Sequence, residues 1–357
     1  MIVNKNYCMS SYLMFRTIID KKYTFKAGIS PKPDKIIKCR LPISNSAELE
    51  KYLKKSIEEA TAAGKAALAL SGGIDSAILA KFMPKGSVAY TFKCIVPGIE
   101  VTDETHAAAR YAEECGLEHR IIEIYWSDFE KYAPVLMSKK GAPIHSIEVQ
   151  IYKAALQAKK DGFSKLIFGE SADCLYGGLN DLLSRDWKVG EFVDKYSFVK
   201  PYMVLKEPIL ITEPFLRYEK DGYIDVHKFI SNVFFVESIH SYFNACDSAS
   251  VDFISPYMKT YLSTPLDIER VRRGENKYLV REIFDRLYSG FSITEKIPMP
   301  RPMNEWLKNW DGPKGTEFIQ NCTADMTGDQ KWMVYCLEMF LNMIDDATYS
   351  NYLNEGM

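Results

Sequence analysis

The sequence has little of what would classify a protein at a glance. No run approaches the ~20 apolar residues that a membrane-spanning helix needs. The most apolar stretch, Trp332 to Ile344, contains Glu338 and Asn342 and reads as a buried C-terminal helix. Near the N-terminus, Lys5 and Arg16 flank a broken apolar stretch, which makes a poor secretory signal. The five histidines are dispersed, so no zinc site is suggested. The eight cysteines, at 8, 39, 94, 115, 174, 246, 322 and 336, form no C-x-x-C pair. Scattered thiols of this kind fit a reduced, cytoplasmic protein and not a disulfide frame. A net charge of −2 argues against a general nucleic-acid binder, which needs concentrated cations. Internal repeats and low-complexity tracts are also lacking.

What is present is ordinary for a globular protein: 357 residues, 47% hydrophobic and 26% charged. The length predicts two domains and a small extra element. Residues 1–45 are rich in Tyr, Phe, Ile and Lys. There Tyr23 to Gly28 reads as strand and turn broken by Pro31 and Pro33, hence a small β element. Asn45 or Ser46 then offers a helix N-cap with Glu48 placed for a capping box, and Leu49, Leu53, Ile57 and Ala60 follow at helical spacing. From Ala66 the pattern alternates. Strands are expected at 66–70, 88–96, 120–124 and 165–168. Helices are expected after the first of them, at 103–115 and at 148–160, and such alternation implies a parallel sheet. Beyond about 210 apolar residues recur at helical spacing, which predicts a mostly helical region.

Two loops carry the chemistry. Ser71-Gly72-Gly73-Ile74-Asp75-Ser76 follows a buried strand and opens a helix, a setting in which backbone N–H groups and the helix N-terminus attract phosphate. Asp75 is repelled by a polyphosphate and makes sense as a ligand for Mg²⁺ bridging it. The bland alternative is a tight turn with an Asp cap. The loop lacks the G-x-x-x-x-G-K-[ST] spacing and is not a Walker A loop. The second loop, Gly169-Glu170-Ser171-Ala172-Asp173-Cys174-Leu175-Tyr176-Gly177-Gly178, lies at the end of a strand, where ligands of open parallel sheets bind.

S-G-G-x-D-S after a strand resembles the pyrophosphate loop of the ATP pyrophosphatases, which include asparagine, β-lactam, carbapenam, GMP and NAD synthetases. The first loop does not choose among them. The second resembles the G-E-G-A-D-E-L-F-G-G-Y stretch of asparagine synthetases. Thr91-Phe92 through Glu104, Ala107 to Ala109 and Gly116 to His119 follow the same pattern, as does Lys277-Tyr278-Leu279-Val280-Arg281, similar to the family's K-x-x-x-R helix. Ser255-Pro256-Tyr257-Met258 resembles the R-V-P-F-L-D segment, and the resemblance runs from about 46 to 310.

The resemblance implies an α/β, parallel-sheet ATP-pyrophosphatase fold with a small N-terminal β element (1–45), an α/β domain (46–210) and a mostly helical C-terminal part (211–357). It implies ATP and Mg²⁺. Leu70, Ser71, Gly72, Gly73, Ser76, Phe92, Cys94 and Gly169 would line the nucleotide, and Asp75 and Asp173 would hold the metal. Lys296 would stabilise phosphate charge, and Glu170 would serve the attacking amine. The expected activity is adenylation of a small-molecule carboxylate followed by amide formation. His119 is expected at a strand edge and not in catalysis.

Three departures qualify this. Residues 1–45 are too few for a glutamine-hydrolysing domain, and Ile2 stands where its cysteine would be, so nitrogen is expected from ammonia, an amine or a separate glutaminase. Cys174 replaces a family Glu and reads as a buried filler. Ile254 and Lys259 replace the Arg and Asp of R-V-P-F-L-D, which puts L-aspartate in doubt. The aromatic segment around Trp187, Tyr196, Phe198 and Tyr202 is expected to pack. A sugar acid or an antibiotic or peptide precursor is the alternative acceptor, and a non-catalytic ATP-binding partner protein is the alternative class. No membrane or nucleic-acid partner is expected, and a homodimer is left open.

Overall fold

A computed structural model describes residues 1–293, 299–346 and 348–353. Strands β1 (Ile2–Val3) and β2 (Tyr23–Thr24) pair in parallel, and β3 (Leu41–Ile43) follows. The main sheet is built from β4 (Ala66–Ala69), β5 (Val88–Cys94), β6 (Glu118–Ile124) and β7 (Lys165–Ile167). A short hairpin, β8 (Glu219–Lys220) and β9 (Tyr223–Ile224), precedes β10 (Asp252–Ile254), which joins the main sheet, and β11 (Thr260–Leu262), which pairs with β3.

Among the described residues the main sheet has five strands in the order β10-β7-β4-β5-β6, every pair parallel. All four residues of β4 are buried, as a central strand covered on both faces must be. The chain leaves β4 through helix α3 (Ile74–Phe82) to β5 and through α4 (Thr105–Cys115) to β6. It then returns through α5 (Trp126–Lys140) and α6 (Ile147–Lys160) to β7 on the far side of β4. The strand order therefore reverses between β4 and β7. Their carboxyl ends open a crevice, the place where open α/β sheets bind ligands.

Helices α3, α4 and α6 form where the sequence predicts them. In α2 (Ser46–Thr61) the Asn45 side chain accepts from the Glu48 N–H, while the Glu48 carboxylate accepts from the Ser44 N–H at 2.9 Å. Such a cap stabilises by about 1 kcal/mol. Leu49, Leu53 and Ile57 are fully buried on its inner face. The C-terminal helix Gly328–Asp345 starts on a Thr327–Gln330 capping box and buries Trp332, Leu337 and Phe340.

Three features differ from expectation. The N-terminal segment does contain a β pair, but helix α1 (Lys5–Phe15) lies between its strands, with every residue from Cys8 to Phe15 buried. Burial on all sides removes the polar stripe by which a helix is read from sequence. Helix α5 fills 126–140, where no element is expected; Pro134 within it disguises the helical pattern. Finally, a boundary at 210 does not follow the sheet, because β10 at its edge comes from 252–254. Among the described residues no helix is long and apolar enough to cross a membrane.

Candidate active site

The first loop turns from β4 into α3. Its two serines hold it: the Ser71 N–H donates to Ser76 Oγ at 3.0 Å, the hydroxyls are 2.9 Å apart, and the Gly73 N–H donates to Ser71 Oγ at 3.2 Å. Gly73 is the N-cap of α3 and brings no side chain to cap it. From below, Tyr257 Oη donates to the Asp75 carbonyl at 3.2 Å.

The second loop leaves β7 alongside. Gly169 is required there, because a Cβ would lie 2.7 Å from Ser76 N and 2.9 Å from the Asp75 carbonyl carbon. The next turn places Ser171 in left-handed backbone, φ +75°, at the start of the short helix α7 (Ala172–Tyr176). Asp173 and Asp75 then both meet the Lys277 ammonium. Lys277 Nζ donates to both Asp75 oxygens at 2.9 and 2.8 Å and lies 3.0 Å from Asp173 Oδ1. Gly178 makes room for this, since a Cβ there would fall 2.2 Å from Asp173 Oδ1.

Both loops line a cavity of about 440 Å³. At one end are Leu70, Ser71, Gly73, Asp75, Ser76, Phe92, Gly169 and Asp173. At the other end Glu170 faces the helix Phe235–Ser248. Its carboxylate accepts from Ser238 Oγ at 2.8 Å, and the Tyr242 hydroxyl and the Ser171 N–H are near enough to favour its ionised form. Burial pushes Glu170 above the usual carboxylate range, and these three donors oppose the rise. Its backbone is fixed by Ser255 Oγ, which donates to the Glu170 carbonyl at 2.6 Å.

Three further groups line this end. Arg16 makes two bonds to Glu237, at 2.6 and 2.7 Å, with the rings of Tyr196, Phe198 and Phe234 within 6 Å of its guanidinium. His145 accepts the Ile147 N–H on Nδ1 at 3.2 Å, and burial with Arg301, Arg16 and Lys140 nearby holds it well below its ordinary pKa. The ring is neutral, with its proton on Nε2. Arg301 donates to Asp329 at 3.2 Å and to the Met299 carbonyl.

Most residues singled out in the sequence meet in this cavity; some do not. The Cys94 side chain is off the wall, buried against Pro300 and receiving the Gln150 amide at 3.0 Å; burial pushes its thiol up to about 11. Gly72 is turned toward α4, where a Cβ would lie 3.0 Å from Ala107 Cβ. His119 sits on β6 within 2.8 Å of the Thr91 hydroxyl, away from the cavity. Cys174 does border the cavity, but it is buried, its thiol raised by desolvation and donating to the Ser171 carbonyl. Lys296 lies outside the described residues. Sequence reading missed the roles of Arg16, His145, Glu237, Ser238, Tyr242 and Arg301. Lys277 was visible only as part of a helix motif.

A search of curated proteins finds no match. Similar solved structures include the NH₃-dependent NAD synthetase of Campylobacter jejuni, 18% identical with a TM-score of 0.26, where the match covers 37% of this chain and 60% of that one. They also include the U34-tRNA thiolase of Methanococcus maripaludis, 14% identical with a TM-score of 0.27, covering 77% and 91%. The family model described as asparagine synthase matches residues 48–228, just over half of the chain and the stretch that holds both loops. The chain belongs to the asparagine synthase family.

Proposed function

We propose that this protein is an ATP-dependent ligase that adenylates a carboxylate, releases pyrophosphate and forms an amide. The observation that carries the reading is the meeting of the two loops at the strand-order reversal, with Asp75, Asp173 and Glu170 around one cavity. In the first step a carboxylate oxygen of the acceptor attacks the α-phosphorus of ATP, and the bond to the β-phosphate breaks. Ser71 and Ser76 would turn their hydroxyls from one another to the departing pyrophosphate, and the α3 N-terminus would attract it. Asp75 and Asp173 fit Mg²⁺, being adjacent hard oxygen donors that open on the cavity and already attract a cation. The ion would supply positive charge to the phosphates.

In the second step a nitrogen nucleophile attacks the acyl carbon and expels AMP. Glu170 would accept the proton that nitrogen loses, a role favoured by a carboxylate whose pKa is raised toward neutrality. Ammonia, an amine, or ammonia from a separate glutaminase would supply the nitrogen. The acceptor would differ from L-aspartate, because Ile254 and Lys259 stand in place of the family's Arg and Asp. The cavity wall opposite the phosphates would bind it through His145, Ser238 and Ser241. Glu170→Gln tests the division of labour: amide formation should slow far more than ATP–pyrophosphate exchange, and equal losses in both would overturn it.

A further inference from the structure

We infer that Lys277 is a resident cation of the phosphate site that keeps divalent metal out until nucleotide brings it in. The inference rests on Asp75 and Asp173 being the metal ligands proposed above. Lys277 is 5% exposed, and its ammonium lies 2.9 and 2.8 Å from the two oxygens of Asp75 and 3.0 Å from Asp173 Oδ1. The ammonium hydrogen-bonds both oxygens of Asp75 and forms an ion pair with Asp173, so it sits between the two carboxylates. The position is built and not incidental. Lys277 has left-handed backbone, φ +50°, at the start of the helix Tyr278–Leu287, and its carbonyl accepts the Arg281 N–H at 2.9 Å. The chain also closes around its stem, since a Cβ on Gly178 would come 2.8 Å from Lys277 Cδ.

The charges decide the order of entry. The lysine offsets one of the two carboxylate charges and stands where a metal would approach them. A bare divalent ion must either displace the lysine or sit beside it. Mg²⁺ gives up water reluctantly and demands close oxygen ligands. The repulsion between a unit and a double charge a few ångström apart weakens binding roughly tenfold or more, even at the dielectric of water. Nucleotide phosphates alone fare no better, because they meet two carboxylates. Metal and phosphate together neutralise each other, and the lysine lowers the negative charge that remains. Their binding is thus linked, and by reciprocity each strengthens the other by the same factor.

Mn²⁺ is a suitable probe, because its free form is counted directly by electron paramagnetic resonance. The full chain would be titrated with Mn²⁺ alone and with a non-hydrolysable α,β-methylene ATP analogue, corrected for metal held by the analogue itself. Wild type should bind Mn²⁺ at least roughly tenfold more weakly without the analogue than with it. Lys277→Met, or Lys277→Gln should Met not fold, should gain nucleotide-free Mn²⁺ affinity by a similar factor. Lys277→Arg, which keeps the charge, should behave as wild type. Equal Mn²⁺ affinity with and without the analogue in wild type overturns the inference whether or not the neutral variants fold, and so does a neutral variant that gains nothing. If Asp75→Asn keeps nucleotide-dependent Mn²⁺ uptake, the ligand assignment fails instead, and the lysine inference falls with it.

Discussion

Gly169→Ala should silence the site while barely unfolding the protein. The added Cβ would lie 2.7 Å from Ser76 N, whereas ordinary contact begins at 3.4 Å, so the loop and the first turn of α3 must separate by about 0.7 Å. The obstacle is backbone, which cannot swing aside as a side chain would. Overpacking of this kind costs about 1–3 kcal/mol. For 357 residues at ~2.1 cal/mol/K each, the unfolding entropy is about 0.75 kcal/mol/K, so Tm should fall by only about 1–4 °C. Catalysis is more sensitive, because a displacement near 1 Å in a reacting geometry costs roughly 100-fold. ATP–pyrophosphate exchange should therefore drop by about two orders of magnitude in a protein that still melts cooperatively near the wild-type temperature. Exchange at the wild-type rate would refute the close approach of the two loops.

Other substitutions probe the remaining geometry. Tyr242→Phe removes a donor that favours ionised Glu170, so its pKa should rise further. The limb of the pH–rate profile for amide formation, which climbs as Glu170 loses its proton, should move to higher pH while exchange keeps its profile. Ser171→Gly relieves left-handed backbone at φ +75° and should stabilise by about 1 kcal/mol, read by urea denaturation. Arg16→Met strands Glu237 in the core and should cost about 3–5 kcal/mol, most of it recovered by adding Glu237→Leu.

The sheet was legible because its strands are short apolar runs between glycine-bearing turns, and both loops follow such strands directly. Asp75 could be found from its own loop, and Glu170 and Asp173 through the resemblance of theirs to the asparagine synthetase stretch, because both motifs are local in the chain. The wall opposite was not legible for the converse reason. Arg16 follows a helix buried from Cys8 onward, and Glu237, Ser238 and Tyr242 lie on a helix where they face a cavity and not water. Polar residues on an otherwise apolar helix look like a solvent face until the neighbouring elements are in place. Lys277 illustrates the limit from another side. Its motif was visible, but the contact that gives it meaning joins residues 202 positions apart. Cys94 shows that lying on the right strand does not place a side chain on the cavity, since it ends the strand with its thiol covered by Pro300 and Gln150.

The central claim is tested most directly by ATP–pyrophosphate exchange, measured across a panel of carboxylates that includes L-aspartate. Exchange should depend on one class of acid and disappear in Asp75→Ala. Binding of ATP without exchange for any acid, or exchange that survives in Asp75→Ala, would contradict it.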